Sequence, residues 1–314
     1  MKLAFLFPGQ GSQAVGMGQK LAEAFPLAAS VFAEADDVLG FALTDTMWSG
    51  PEETLKRTEN AQPALLVHSI AALRVASEKG LKPAFAAGHS LGEYSAHVAA
   101  GSLAFAAALR LVRRRGELMA KAGDAQAGTM AAILGLDAAL VEEACRESNA
   151  AGPVVAANFN SPGQVVISGA PEAVEAAMAR CKDKGAKRAI RLPVAGAFHS
   201  PLMGPATTGL VDALSTVAIA DAQVPVIANV DAQPTTKAAD IRAKLGSQLL
   251  GAVRWEESMR RLLADGAEGF VELGTGKVLR GLLKSIAPEA KSANVDDPAS
   301  LEDTLAAFGQ EARA

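Results

Sequence analysis

The sequence contains little cysteine and few aromatic side chains. Two of its 314 residues are cysteine, and phenylalanine, tryptophan and tyrosine together make up 4% of the chain. Cys145 and Cys181 occupy helix-like segments at a spacing foreign to metal sites, which excludes a disulfide framework and a cysteine-based zinc site. Free thiols suit a reducing compartment, and we therefore expect a cytoplasmic protein.

The sequence also lacks an excess of one charge and long apolar runs. Its formal net charge at pH 7 is −4 and it contains no basic tract, which argues against nucleic acid as a partner. The apolar start, Leu3 to Phe7, ends at Pro8 after five residues and is too short for the apolar region of a secretory signal. No run is long enough to span a membrane, so we expect no membrane partner.

Small and apolar residues are plentiful. Half of the residues are hydrophobic and 29 are glycine, enough for a substantial core. Strand-like and helix-like segments alternate, which favours an α/β protein with a parallel sheet. The predicted strands of this part cover residues 3–7, 83–87, 224–229 and 269–273, and the predicted helices cover 17–39, 63–77, 91–100, 104–122 and 239–250.

The middle of the chain has a pattern of its own. Its segments follow the order β-α-β-β-α-β, which is typical of a ferredoxin-like unit. We therefore predict a small domain over residues 126–194, inserted into a larger core made of residues 1–125 and 195–314. The predicted strands of the small domain cover residues 129–134, 154–158, 164–168 and 186–192, and its helices cover 137–148 and 171–184.

The segment Gly88-His89-Ser90-Leu91-Gly92-Glu93 joins a strand-like run to a helix-like one. Gly-x-Ser-x-Gly at such a junction is the pattern of a nucleophile elbow, a tight turn that lifts a serine hydroxyl out of the sheet. Side chains in place of Gly88 and Gly92 would collide in that turn. The backbone N–H of Leu91 would then face a developing oxyanion. A plain strand-to-helix turn with a capping serine is the alternative.

A serine nucleophile requires a base, and the chain has four histidines. His89 adjoins Ser90, so its side chain should diverge from the hydroxyl. His97 lies about 10 Å further along the following helix, and His68 lies within an apolar helix. His199, in a loop between the small domain and the returning core, remains as the candidate base. A solvated loop histidine is the alternative.

No carboxylate is well placed to complete a triad. Asp124, Asp137 and Asp183 lie between the serine and the histidine in chain order, as in hydrolase triads. All three belong to the predicted insertion or its edges. We therefore predict a Ser-His pair whose imidazole is oriented by a backbone carbonyl or an amide side chain.

The loop Gly9-Gln10-Gly11-Ser12-Gln13-Ala14 follows the first predicted strand and formally matches a dinucleotide-binding fingerprint. The second strand of such a site is missing, because residues 21–35 are helix-like. We therefore predict neither a cofactor nor a metal. The loop is better interpreted as a source of backbone N–H groups beside the reactive serine.

Three consecutive arginines, Arg113, Arg114 and Arg115, lie on the predicted helix that follows the elbow helix. Successive helix positions point about 100° apart, so the three cannot share one role. A solvated face is the usual explanation of a charge run. An arginine on the buried face would instead require an anion, and a substrate carboxylate held by a forked pair of hydrogen bonds would supply it.

Five motifs, in this order and from Phe5 to about residue 285, resemble the malonyl-CoA:acyl carrier protein transacylases. This bacterial fatty-acid-synthesis family is related to polyketide synthase acyltransferase domains. The resemblance implies an α/β-hydrolase-like core with a ferredoxin-like small domain. The motifs are Pro8-Gly9-Gln10-Gly11-Ser12-Gln13, Gln62-Pro63-Ala64, Gly88-His89-Ser90-Leu91-Gly92-Glu93, Asn158-Phe159-Asn160-Ser161-Pro162-Gly163-Gln164 and Gly196-Ala197-Phe198-His199-Ser200.

The resemblance implies roles for the reacting residues. Ser90 matches the nucleophile that becomes malonylated, and His199 matches the general base and acid. Gln248 matches the residue whose backbone carbonyl orients the histidine. The resemblance thereby implies that the Gln248 carbonyl orients the His199 imidazole, the role that a carboxylate has in a hydrolase triad.

The resemblance also implies how the acyl group is held. Gln10 and Leu91 match the two positions whose backbone N–H groups form the oxyanion hole. Arg115 matches the arginine that binds the malonate carboxylate. Family members prefer malonyl where a phenylalanine precedes the histidine, as Phe198 does here.

The implied substrates and partners are malonyl-CoA and acyl carrier protein, with ping-pong transfer of malonyl between two thiols. Three alternatives stay open. A serine hydrolase or thioesterase would use the same elbow but has no use for Arg115. A polyketide-pathway acyltransferase is the second alternative. The third is a non-catalytic carrier-protein docking module, which the intact Ser90 and His199 argue against.

Overall fold

The computed structural model describes residues 1–194 and 196–309 of the chain. The backbone forms two β-sheets with helices packed around them. The strands are β1 Leu3–Phe7, β2 Pro83–Gly88, β3 Thr129–Leu134, β4 Val154–Ser161, β5 Gln164–Gly169, β6 Arg188–Arg191, β7 Val226–Ile227, β8 Pro234–Thr235, β9 Gly269–Leu273 and β10 Lys291–Val295. The α-helices are α1 Gln19–Ala24, α2 Pro26–Leu39, α3 Leu43–Ser49, α4 Glu52–Lys56, α5 Thr58–Glu78, α6 Gly92–Ala99, α7 Phe105–Ala125, α8 Ala138–Ser148, α9 Pro171–Asp183, α10 Gly204–Thr216, α11 Ala238–Ser247, α12 Trp255–Ala264, α13 Val278–Ile286 and α14 Pro298–Phe308.

The larger sheet has the strand order β10-β9-β1-β2-β7-β8. Its strands pair in parallel, except that β8 runs antiparallel to β7. β1 lies inside this sheet and is buried on both faces, as parallel strands covered by helices are. Leu3, Phe5 and Phe7 enter one core together with residues of α2 and α5. Ala4 and Leu6 point the opposite way, into a second core with α12 and α13.

The smaller sheet has the order β4-β5-β3-β6 and is antiparallel throughout. Apolar residues of its strands, of α8 and of α9 form a third core. The β-α-β-β-α-β order predicted for this part of the chain is confirmed. The helix predicted from Asp137 begins there because the Asp137 carboxylate caps it, accepting the N–H of Ala139 at 2.9 Å.

The observed helix bounds differ from the predicted ones near two prolines. The helix predicted over 17–39 is divided in two, because Pro26 begins α2 after a break at Phe25. The helix predicted from Pro63 begins five residues earlier, at Thr58. Pro63 has no N–H to donate to the carbonyl of Glu59. The Glu59 carbonyl instead accepts a hydrogen bond from a side chain, since Nη1 of Arg113 donates to its oxygen at 2.9 Å.

The strand predicted over 224–229 is only two residues long in β7, because the chain turns back and Ala228 donates to the Gln233 carbonyl at 3.1 Å. Val253, which lies outside the named strands, bridges to β4: its N–H donates to the carbonyl of Ala157 and its carbonyl accepts from the N–H of Phe159. Residue 195 and residues 310–314, which are predicted to belong to the core, lie outside the described residues. No helix in the described part of the chain has the length and apolar character needed to cross a membrane.

Candidate active site

The predicted elbow lies at the carboxyl end of β2. Ser90 has a φ of 52°, a left-handed conformation that non-glycine residues rarely adopt. The flanking glycines are needed for steric reasons. A Cβ on Gly88 would lie 1.9 Å from the backbone carbon of Gly92, and a Cβ on Gly92 would lie 2.1 Å from the carbonyl oxygen of Phe7. The glycine spacing therefore produces the tight turn predicted from it.

The structure brings Ser90 and His199 together across 109 positions of sequence. The Oγ of Ser90 lies 2.7 Å from Nε2 of His199. The other ring nitrogen, Nδ1, lies 3.0 Å from the carbonyl oxygen of Gln248 and 3.1 Å from that of Gly251. Because carbonyl oxygens only accept, this network assigns the proton to Nδ1 and leaves Nε2 free to accept from the serine hydroxyl. Among the described residues no carboxylate hydrogen-bonds to His199.

The surroundings of His199 keep its ring neutral. The side chain is 3% exposed. Burial, and after it the positive charge of Arg115, lower the pKa of His199 to about 3. A neutral imidazole near pH 7 is the form that can take a proton from a hydroxyl.

Arg115 is a buried cation whose hydrogen-bond acceptors are neutral. It is 1% exposed. Its Nη1 donates to Oε1 of Gln62 at 2.7 Å, and its Nη2 donates to Oγ of Ser90 at 3.1 Å and to Oε1 of Gln248 at 3.0 Å. In the described part of the chain no carboxylate oxygen lies within 4.0 Å of this guanidinium, and its Nε–H has no acceptor. An unpaired buried cation is costly, so the site favours an incoming anion.

The other two arginines of the run are directed elsewhere. Arg114 is exposed and lies 3.7 Å from a carboxylate oxygen of Glu117. Arg113 also pairs with Glu117, at 2.8 Å. Only Arg115 faces the serine, as helical spacing predicts for one residue of the three.

Gln10 and Leu91 lie on the two loops that meet at the elbow. The pairing of β1 with β2 aligns Phe7 with Gly88, so the loop after β1 runs beside the turn. The two loops approach closely, since a Cβ on Gly9 would lie 2.5 Å from the carbonyl oxygen of His89. None of the described residues accepts a hydrogen bond from the backbone N–H of Gln10 or of Leu91, which leaves both available to a ligand oxygen.

Asn229 is a site residue that the sequence analysis did not single out. Its Oδ1 accepts the backbone N–H of Ser90 at 2.7 Å, and its Nδ2 donates to the carbonyl of Gly88 at 2.7 Å. These two bonds hold both sides of the elbow. A signal was present, because Asn229 ends a predicted strand, and ligand sites of parallel sheets lie at the carboxyl ends of strands.

The remaining histidines have other partners. Nε2 of His89 lies 2.9 Å from Oδ1 of Asn160, Nδ1 of His97 lies 3.0 Å from Oγ of Ser102, and Nε2 of His68 lies 3.0 Å from the carbonyl oxygen of a β10–α14 residue, Asp296. Of the four histidines, which all lie in the described part of the chain, His199 is the one that hydrogen-bonds to the Ser90 hydroxyl. Within the described residues no cluster of three or more His, Cys, Asp or Glu side chains is arranged to hold a metal ion.

The fold and this pairing define the class of protein: an α/β protein with a serine–histidine pair at the carboxyl edge of a parallel sheet. The chain belongs to the acyl transferase family, whose domain matches residues 4–295, and it is an acyltransferase.

Relatives of known name agree over nearly the whole chain. A malonyl CoA-acyl carrier protein transacylase of Bacillus subtilis (strain 168) is 49% identical over 311 residues, which cover 99% of this chain and 98% of that protein. The crystal structure of an acyl carrier protein S-malonyltransferase from Vibrio cholerae has a TM-score of 0.94 and 46% identity, covering 97% of this chain and 100% of the other. A malonyl-transacylase in complex with its type II PKS acyl-carrier protein has a TM-score of 0.94 and 46% identity, covering 98% and 99%.

Proposed function

We propose that this acyltransferase moves a malonyl group from malonyl-CoA to the phosphopantetheine thiol of acyl carrier protein through a malonyl-serine intermediate. The observation that carries the proposal is the position of the Ser90 hydroxyl. It lies between Nε2 of His199 at 2.7 Å and Nη2 of Arg115 at 3.1 Å. A base and a buried cation thus meet at one hydroxyl, which suits an acyl group that ends in a carboxylate.

The first half-reaction acylates the serine. His199 Nε2 takes the hydroxyl proton as Oγ of Ser90 attacks the thioester carbonyl. The negative oxygen of the tetrahedral intermediate accepts hydrogen bonds from the backbone N–H groups of Gln10 and Leu91. The carbon–sulfur bond then breaks, and the departing CoA thiolate receives the proton from His199. Throughout, the carbonyl oxygens of Gln248 and Gly251 hold the imidazole by its Nδ1 proton.

The second half-reaction repeats these steps with another thiol. His199 takes the proton of the phosphopantetheine thiol, whose sulfur attacks the malonyl ester. The oxyanion again meets the two backbone N–H groups, and the ester bond to Ser90 breaks. His199 returns its proton to the serine oxygen, which regenerates the starting state.

The position of Arg115 favours malonyl as the acyl group over an uncharged acyl group. The guanidinium is already desolvated in the folded protein, so binding a carboxylate removes an unfavourable state as well as forming hydrogen bonds. A hydrolase or thioesterase acting on neutral acyl chains would gain nothing from this cation. The relatives named as malonyl transferases, and the one found with an acyl-carrier protein, support the same substrate and acceptor.

The proposal includes an architecture. The described residues within 1–125 and 195–314 form an α/β-hydrolase-like core, and residues 126–194 form an inserted ferredoxin-like domain. The support for the core is the parallel sheet with a serine turn after an inner strand. The support for the insertion is the antiparallel order β4-β5-β3-β6 of the smaller sheet.

Intact-protein mass spectrometry tests the proposal in two steps. After incubation with malonyl-CoA, the protein should gain the mass of one malonyl group, and added holo acyl carrier protein should then remove that mass and carry it. The Ser90→Ala variant should gain nothing. Ser95→Ala, which changes a buried serine of the following helix α6, is the matched control and should still be acylated. A wild-type protein that never forms the adduct would refute the proposal, and an adduct released only to water would indicate a hydrolase.

A further inference from the structure

Glu93 is a buried carboxyl group that the steps above do not use. It lies three residues after Ser90, at the start of α6, and is 1% exposed. Burial raises its pKa to about 7. No cationic side chain of the described residues lies within 4.0 Å of it. A carboxyl group buried beside a reactive serine without an ion-pair partner calls for an explanation.

Both hydrogen bonds of Glu93 are made by a single oxygen. Its Oε2 accepts from Nε2 of Gln248 at 2.7 Å and from the backbone N–H of Asn229 at 3.1 Å. No described residue donates to Oε1. The hydrogen bonds from Gln248 and Asn229 therefore both depend on the position of Oε2.

The amide of Gln248 connects Glu93 to the arginine. Its Nε2 donates to Glu93 and to the carbonyl of Ser90, the latter at 3.0 Å. Its Oε1 accepts from Nη2 of Arg115 at 3.0 Å. A guanidinium can only donate, so a reversed amide would set its NH₂ against the cation. Glu93 opposes that reversal, because its Oε2 is an acceptor and a reversed amide would place the Gln248 oxygen, another acceptor, against it.

We propose that Glu93 is a positioning residue for acyl-group selection: its Oε2 fixes the Gln248 amide, so that Arg115 keeps its guanidinium aimed at the acyl carboxylate. Glu93 acts through Gln248 and touches neither the hydroxyl nor the acyl group. The role requires an acceptor oxygen and not a negative charge. The inference rests on the proposed malonyl transfer.

Two substitutions at Glu93 separate the acceptor from the charge. Glu93→Gln keeps an acceptor oxygen and removes the charge, whereas Glu93→Met has a similar size and keeps neither. The measurement is kcat/KM for malonyl-CoA and for acetyl-CoA. We expect Glu93→Gln to keep the malonyl-to-acetyl ratio within about twofold, and Glu93→Met to lower it by at least about tenfold, the scale of one hydrogen bond. An equal fall in both variants, or an unchanged ratio in both, would overturn the role.

A third variant tests the chain of contacts from Glu93 through Gln248 to Arg115 without changing Glu93. It therefore remains informative if Glu93→Met does not fold. Gln248→Met removes the amide but keeps the backbone carbonyl that holds His199. It should lower the ratio as Glu93→Met does, and the double variant should fall no further, because both changes break one chain of contacts. Additive losses, or an unchanged ratio in Gln248→Met, would refute the inference.

The wild-type protein separates this inference from the function on which it rests. A wild-type protein without a preference for malonyl-CoA over acetyl-CoA would refute the proposed function itself. A wild-type protein that prefers malonyl, combined with Gln248→Met and Glu93→Met variants that prefer it equally, would refute only the role of Glu93.

Discussion

The Nη2 of Arg115 donates to the Oγ of Ser90 across 3.1 Å. The cation proposed to bind the acyl carboxylate thus contacts the hydroxyl proposed to carry the acyl group. The same cation contributes to the lowered pKa of His199. A carboxylate that pairs with Arg115 would offset this charge, and the base would then hold a proton more readily. In the proposed reaction, one side chain would therefore couple acyl binding to proton transfer.

Arg115→Ala should remove the preference for malonyl. The loss for malonyl-CoA should be about 3–5 kcal/mol in transition-state free energy, the scale of breaking a buried pair. Acetyl transfer should fall less, or rise, because it never used the pair. Arg115→Lys should recover only part of the malonyl activity, since a point charge cannot form the fork. Measured kcat/KM values for both thioesters check this. The control is Arg114→Ala, on the exposed side of α7, and a malonyl-to-acetyl ratio unaffected by Arg115→Ala would contradict the assignment.

His199→Ala should slow acylation by about 10²- to 10⁴-fold, the usual contribution of general base catalysis. Rapid-quench measurement of the malonyl adduct gives this rate directly. His97→Ala is the matched control, because His97 is equally buried but its Nδ1 contacts Ser102. That variant should lose stability and keep its acylation rate. A larger catalytic loss at His97 than at His199 would reverse the assignment of the base.

Asn229→Ala should weaken the elbow. The change removes the acceptor of the Ser90 N–H and the donor to the Gly88 carbonyl, both at 2.7 Å. Buried groups left without partners cost about 1–3 kcal/mol each in unfolding free energy. We expect a lower melting temperature and a slower acylation rate together. An acylation rate equal to that of the wild-type protein would mean that the strained φ of Ser90 is held by the glycines alone.

Gly92→Ala should prevent the elbow from forming as observed. The new Cβ would lie 2.1 Å from the carbonyl oxygen of Phe7, a backbone atom that cannot rotate away. We expect a loss of several kcal/mol in unfolding free energy, or no soluble protein. Gly281→Ala, inside α13, is the control, because apart from its chain neighbours and the backbone of its own helix no atom lies within 4 Å of the added carbon. It should stabilise the helix by about 0.5–1 kcal/mol. Similar urea midpoints for the two variants would disagree with this steric argument.

Stability should fall as the pH is lowered from about 6.5 to about 4.5. Burial lowers the pKa of all four histidines, to about 3 for His97 and His199, and raises the pKa of Glu93 and Glu272 to about 7. Unfolding in this window lets four imidazoles take up protons while two carboxyl groups release them. The unfolded state therefore binds more protons, and acid favours it. Urea midpoints at several pH values measure the trend, and a midpoint that rises toward pH 4.5 would contradict it.

The local features of this chain were predictable from its sequence. The glycines at 88 and 92 specify a tight turn wherever it occurs, and Asp137 caps a helix through an N–H two residues away. β3 and β9 have the predicted bounds, 129–134 and 269–273. These features depend on residues that are close in sequence, so short sequence patterns are enough to predict them. The helices α10, α12 and α14 were not predicted, although Asp297 caps α14 by accepting the N–H of Ser300 at 2.9 Å, as Asp137 caps α8.

The tertiary structure decided which distant residues support the serine. Asn229 reaches Ser90 across 139 positions because β7 pairs with β2, and Gln248 reaches Glu93 across 155. Composition and periodicity fix which residues are buried but not which strands are neighbours. The sequence by itself therefore determined the turn, the candidate base and the family resemblance. The packing of α6, α7 and the end of α11 determined the buried network of Glu93, Arg115 and Gln248, because such contacts exist only once remote segments pack side by side.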